Sequence, residues 1–136
     1  MTSEGKLLLN KNYDEEEEAD TYVNYRVLKN IKGDMAEVWI TKILKKFQFP
    51  IFKNEKFLSE DVVWIKMSGP YKIYFFNKPI YISNYLSDGI TKNRRKTNWN
   101  SPLGCIYKGE LLMNPLFPIR LRIKGSLYYN IYNLWA

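Results

Sequence analysis

The period of hydrophobic and polar positions changes several times along the chain, and each change predicts an element. Thr21 to Leu28 places Tyr22, Val23, Tyr25 and Val27 in a short run of high β-propensity and predicts a strand. Lys32-Gly33-Asp34 reads as a turn, followed by an extended segment over Met35 to Ile40. From Thr41 to Phe47 the period lengthens, with Ile43, Leu44 and Phe47 on one face of a short helix that Pro50 ends. Ser59 suits an N-cap, Glu60 and Asp61 suit a first turn, and Val62, Val63, Ile65 and Met67 carry a helix to the stop at Gly69-Pro70. Tyr71 to Phe76 and Ile80 to Tyr85 predict a strand pair across Asn77-Lys78-Pro79, the first strand bulky on both faces. Ser87 to Thr91 reads as a turn, Lys92 to Asn100 as a basic polar stretch, and residues 103–113 as a short helix. Pro115 and Pro118 interrupt, and Ile119 to Trp135 is apolar and aromatic, with Leu121, Leu127, Ile131 and Leu134 in partly helical spacing. There is no internal repeat.

Length and composition narrow the chemistry. The 136 residues, 46% hydrophobic and 26% charged, suit a folded domain able to bury a core without staples. No apolar run is long enough to cross a bilayer, and no basic-then-apolar leader opens the sequence. The chain has no histidine and one cysteine, which excludes a Ser-His-Asp triad, a Cys-His pair, an intrachain disulfide and a histidine-ligated zinc site. Cys105 therefore reads as a small buried hydrophobe.

Charge is divided unevenly. Residues 1–20 hold two lysines against seven acids, whereas residues 21–136 hold 19 basic and 7 acidic groups. The run Asp14 to Asp20 predicts a solvated, mobile segment, since adjacent carboxylates repel and offer no apolar stripe. The basic remainder should attract polyanions: nucleic acid, anionic headgroups or diphosphates.

The order of features in the middle of the chain resembles bacterial family 2 glycosyltransferases. It runs from Gly33-Asp34-Met35-Ala36-Glu37-Val38-Trp39 through Ile43-Leu44-Lys45-Lys46-Phe47 and Phe49-Pro50. It continues with Glu55-Lys56-Phe57-Leu58-Ser59-Glu60-Asp61-Val62-Val63-Trp64, then Tyr81-Ile82, Tyr85 and Ser87-Asp88-Gly89-Ile90-Thr91-Lys92-Asn93. The resemblance covers roughly residues 20–105 and implies transfer of a sugar from a nucleotide-diphospho-sugar to an acceptor hydroxyl. It implies an α/β fold of the GT-A type, here an α+β-like portion with a small mixed sheet and flanking helices.

Residue by residue, the resemblance places the general base in the acidic pair Glu60-Asp61. Attack on the anomeric carbon needs a carboxylate to take the acceptor proton, and Asp61 fits that task, with Glu60 orienting the acceptor. The helix dipole is expected to keep Asp61 ionised. The same Ser-Glu-Asp also makes an ordinary helix start, and that reading stands beside the first. Lys92, Arg94, Arg95 and Lys96 fall where similar enzymes have a mobile loop near the donor diphosphate or acceptor. They read equally as a solvated loop. Trp39 and Trp64 suit either a sugar-cleft wall or core packing.

Two departures qualify the resemblance. No Asp-x-Asp, the family's metal-holding motif, occurs anywhere in the chain. The match also begins inside the family's domain. The chain is therefore expected to be an acceptor-side fragment, inactive when isolated, with manganese or magnesium serving only the intact enzyme. The expected organisation is an acidic segment over 1–20, the acceptor-side part over 21–100 and a helical, aromatic segment over 101–136 packing on it. An exposed sheet edge would invite a homodimer. Arg95 to Trp99 does not reproduce the Gln-x-x-Arg-Trp motif of polymer-forming relatives, so the expected reaction is non-processive, on a glycan or lipid-linked acceptor.

The expected location is cytoplasmic, extending to the inner face of the membrane. Lys108, Arg120, Arg122 and Lys124, with Tyr128, Tyr129, Tyr132 and Trp135, suit a peripheral membrane contact. The alternative is a basic peripheral-membrane or nucleic-acid-binding module without catalysis. Nucleic acid is the less favoured partner, because no recognised motif appears and a buried strand leaves no stacking face.

Overall fold

A computed structural model describes residues 17–76, 78, 80, 82, 89, 90 and 92–136. Its elements, in chain order, are β1 (Glu17–Asp20), a π-helix (Val23–Leu28), α1 (Thr41–Leu44), α2 (Asp61–Met67), β2 (Ile73–Phe76), α3 (Arg94–Trp99), α4 (Pro102–Leu112) and α5 (Ile119–Asn133). The class is α+β, predominantly helical, with one two-stranded sheet among the described residues. The chain divides into two compact units, one of Met1–Phe47 with Met67–Leu86 and one of Gln48–Lys66 with Ser87–Ala136.

In the first unit, β1 pairs antiparallel with β2, setting Glu17 opposite Phe76 and Asp20 opposite Ile73. The end of the acidic run is thus a strand rather than a loop, because β2 supplies the ladder partners that local sequence cannot. The strand predicted over Thr21 to Leu28 is also corrected. Lys29 N–H donates to Asn24 C=O at 3.0 Å, five residues back, which defines a π-helical turn. Local caps tip the balance against β-propensity: Thr21 N–H donates to Asp20 Oδ1 at 2.7 Å, and Asn24 N–H to Thr21 Oγ1 at 3.2 Å. Tertiary packing completes the turn. Tyr25 stacks on Phe75 with centroids 3.5 Å apart, and Val23 N–H donates to Ser68 Oγ at 3.1 Å.

The predicted turn at Lys32-Gly33-Asp34 is present: Gly33 takes φ 115°, and its carbonyl accepts from Arg26 Nη2 at 2.6 Å. The short helix after Ile40 is also present, ending in a turn rather than reaching Phe47. β2 is half-buried, not buried on both faces: Ile73 and Phe75 turn inward while Tyr74 and Phe76 are exposed. The predicted partner strand over 80–85, the turn residues Ser87, Asp88 and Thr91, and Asp14 to Glu16 lie outside the described residues, apart from Ile80 and Ile82, which carry no regular structure.

The second unit is built on a helical hairpin. Pro102 opens α4, Pro118 precedes α5, and the intervening Met113–Pro118 turn brings the helices back side by side. Contacts run antiparallel, Leu112 meeting Gly125 and Gly109 meeting both Gly125 and Tyr129. Glycines permit this approach: a Cβ at Gly125 would lie 2.6 Å from Gly109 O. The buried apolar side chains described in this unit are Val62, Val63, Trp64 and Ile65 of α2, Cys105 and Leu112 of α4, and Leu121 and Tyr132 of α5. Lys92 to Asn100, expected as a loop, contains α3. Trp99 packs on Tyr132 (5.0 Å) and Trp135 (5.3 Å), and as the one large apolar residue of α3 it leaves no apolar period to betray the helix. Among the described residues, no helix is long and apolar enough to cross a membrane.

Candidate functional site

The site is assembled in the second unit from the loop before α2, the start of α2, and the helices α3, α4 and α5. Val62 N–H donates to Ser59 C=O (3.2 Å) and Val63 N–H to Glu60 C=O (3.1 Å), turning the chain into α2 and fixing Asp61 as its first residue. The α4 N-terminus is held by a side chain far away in sequence. Glu55 accepts from Leu103 N–H at 2.5 Å through Oε1 and from Gly104 N–H at 2.9 Å through Oε2. Ser101, which precedes the helix, caps nothing with its own hydroxyl. Gly104 keeps this junction close, since a Cβ there would approach Leu58 Cδ1 to 3.1 Å and Phe57 O to 3.3 Å.

That junction sets Lys108 of α4 against Asp61. Lys108 Nζ donates to Asp61 Oδ2, and both side chains are largely buried. Burial pushes the Asp61 carboxyl up, but the Lys108 ammonium opposes it, helped by the Ser59 hydroxyl and the Arg94 guanidinium, and the net result lies below the ordinary carboxylate value. The cations therefore keep Asp61 ionised, and a two-turn helix need not do so. Asp61 Oδ1 is shut off from solvent and accepts no hydrogen bond in normal geometry. A buried acceptor left so costs about 1–3 kcal/mol, which makes this oxygen a ready partner for an incoming hydroxyl.

Beside this pair lies a small pocket with Ser59, Arg94, Asn98, Ser101, Lys108 and Tyr128 among its walls. Its free volume, about 10 Å³, holds about one water molecule. A sugar ring enters only if these walls part. Cys105 also lines it; its thiol is pushed up by burial, and Sγ lies 3.8 Å from Asn98 O.

Of the sequence-predicted residues, Asp61 and Arg94 come together here. Glu60 is exposed, and Lys92, Arg95 and Lys96 are exposed in and before α3, away from the pocket walls. Trp64 is buried with its ring edge toward Phe49 (6.5 Å), which is core packing rather than a cleft wall. Trp39 is half-buried in the first unit. Lys108 and Glu55 were not singled out for the site by sequence. The signal for Lys108 is its spacing: three residues after Cys105 and four before Leu112, it sits on the buried side of α4, where a lysine requires a carboxylate.

Among the described residues, no three metal-ligating side chains converge. The chain matches no protein-family profile, no curated protein and no solved structure.

Proposed function

We propose that this chain carries the acceptor side of a family 2-like glycosyltransferase, with Asp61 as the general base. The observation that supports this most directly is the Asp61 carboxylate: ionised, anchored at Oδ2 by Lys108, and with Oδ1 lacking a hydrogen bond. In the reaction, the acceptor oxygen attacks the anomeric carbon, its proton passes to Asp61 Oδ1, and the bond to the nucleoside diphosphate breaks with its electron pair leaving on the phosphate oxygen. Lys108 holds the carboxylate in one orientation, and Arg94 offers a guanidinium to phosphate at the pocket wall. The acceptor class is a glycan or lipid-linked hydroxyl, transferred to once per encounter.

The chain lacks Asp-x-Asp, so tight nucleotide-sugar binding is not assigned to these residues. Isothermal titration of the 136-residue chain with nucleotide sugars and manganese is expected to give no micromolar binding. The test of the base is Asp61→Asn in the polypeptide as its gene encodes it. Turnover should fall by about a hundredfold or more with donor affinity little changed. A near-normal rate would reject Asp61.

One observation favours a second reading. Lys72, Tyr74, Phe76 and Lys78 recur every second residue along β2 and beyond it, all exposed, as an aromatic stacking strip between cations requires. A labelled single-stranded oligonucleotide tests it by anisotropy at moderate salt. Loss of signal change there removes the reading.

A further inference from the structure

α5 is apolar on two opposite faces, and the hairpin uses only one. Leu121, Gly125 and Tyr132 are buried on the side that packs against α4. At about 100° per residue, Ile119, Ile123, Leu127, Ile131 and Leu134 gather in a sector about 120° wide on the far side. All five are exposed, from 48% at Ile131 to 91% at Leu134. The flanks of the stripe are basic. Arg120 falls inside this sector close to its Ile131 side, as Asn130 does near Ile119; Lys124 lies just outside the Ile131 edge and Arg122 about 60° beyond the other, all exposed, and α5 holds no acid. Trp135, 66% exposed, follows immediately after the helix.

We propose that this face of α5 docks on an anionic lipid surface. The helix lies in the plane of the interface, with the Ile119 to Leu134 stripe turned toward the acyl boundary and the three cations reaching headgroup phosphates. Charge selects this occupant. A second copy packed helix against helix would set Arg120 and Arg122 against their equals, with no acid on either α5. A nucleic acid would satisfy the cations yet gain nothing from five aliphatic side chains. The 15-residue helix, about 22 Å long, is too short to span the ~30 Å hydrocarbon core, so it lies on the surface. Apolar stripes bordered by Lys and Arg bind interfaces in this way, by buried apolar area plus attraction to anionic lipid. The inference is independent of the glycosyltransfer reading.

Flotation of the whole chain with phosphatidylglycerol–phosphatidylcholine vesicles, against pure phosphatidylcholine, tests it. The chain should float with the anionic vesicles, release as salt rises, and leave the neutral ones. Ile123→Glu with Leu127→Glu should abolish flotation while far-UV circular dichroism stays unchanged, since both positions are exposed. Arg120→Gln, Arg122→Gln and Lys124→Gln together keep the stripe and should weaken partitioning by on the order of a hundredfold, about fivefold per cation. Equal flotation with both vesicle types, no flotation, or flotation that survives the double glutamate change would overturn the proposal. A dimer that Leu127→Glu dissociates would assign the face to a second copy instead.

Discussion

Replacing Gly125 by alanine sets a helix-propensity gain against a packing clash, and the distances decide between them. Alanine improves the intrinsic helix propensity of a glycine position by about 1 kcal/mol. Against this, the new Cβ would stand 2.6 Å from Gly109 O, 2.9 Å from Leu112 Cβ and 3.0 Å from Met113 N. Comfortable contact needs about 3.5 Å, so α4 and α5 must move apart by nearly 1 Å at the crossing. Two of the three obstacles are backbone atoms, which no side-chain rotation clears. Overpacking of this kind costs about 1–3 kcal/mol, and the immovable neighbours place it at the upper end. The net expectation is destabilisation by about 2 kcal/mol. Gly109→Ala should behave alike, its Cβ meeting Tyr129 N at 2.7 Å and Gly125 O at 2.8 Å. The double variant should cost less than the sum, because helices already parted make room for both methyl groups. Gly104→Ala is the contrast, its nearest neighbour being the mobile tip of Leu58 at 3.1 Å. Urea unfolding followed by far-UV circular dichroism measures all four. A Gly125→Ala chain as stable as the parent would refute the close helix crossing.

Glu55→Ala should lower stability by about 1–2 kcal/mol in the same assay, since it uncaps two N–H donors of α4, whereas Glu55→Gln keeps one strong acceptor and should cost less. Cys105 should resist iodoacetamide in the native chain and react quickly in urea, because burial both covers the thiol and raises its pKa. Asp61 ionises more readily folded than unfolded, so its contribution to stability is fully present above its ordinary value of 3.8 and is lost as pH falls through the lower folded value. Carboxyl NMR titration of Asp61 should show its midpoint below that value. Lys108→Met should move the midpoint upward and cost about 3 kcal/mol at neutral pH, as breaking a buried pair strands the remaining charge.

The legible parts of this chain are those whose causes are local. The helices α4 and α5, though not their pairing, could be read because prolines punctuate them and apolar residues recur along both. The start of α2 could be read because Ser59, Glu60 and Asp61 suit a first turn regardless of what packs on them. The misread parts depend on distant partners. β1 exists because β2 offers it a ladder, and no residue of Glu17–Asp20 announces that. The π-helical turn overrides the β-propensity of its tyrosines and valines through Asp20, Thr21 and the remote Ser68. α3 hides because Trp99 is its one large apolar residue, which leaves no period to read. Leu121, Leu127, Ile131 and Leu134 have partly helical spacing, yet Leu121 is buried and the other three are exposed on the far side.

The same distinction governs the site. Asp61 could be picked out as a carboxylate at a helix start, but its chemistry is set by Lys108, 47 residues later, and by Arg94. These cations hold the carboxylate charged and also make it a weak base, so proton transfer to it requires their field to slacken. A pocket with room for about one water is consistent with that closed, charge-neutralised arrangement. On the reading proposed above, an acceptor that parts the walls would draw Lys108 or Arg94 toward its own oxygens or toward phosphate, and would raise the basicity of Asp61 as it arrives. Under that proposal the base would strengthen only when substrate is present, because one carboxylate would share two cations with a phosphate-bearing ligand.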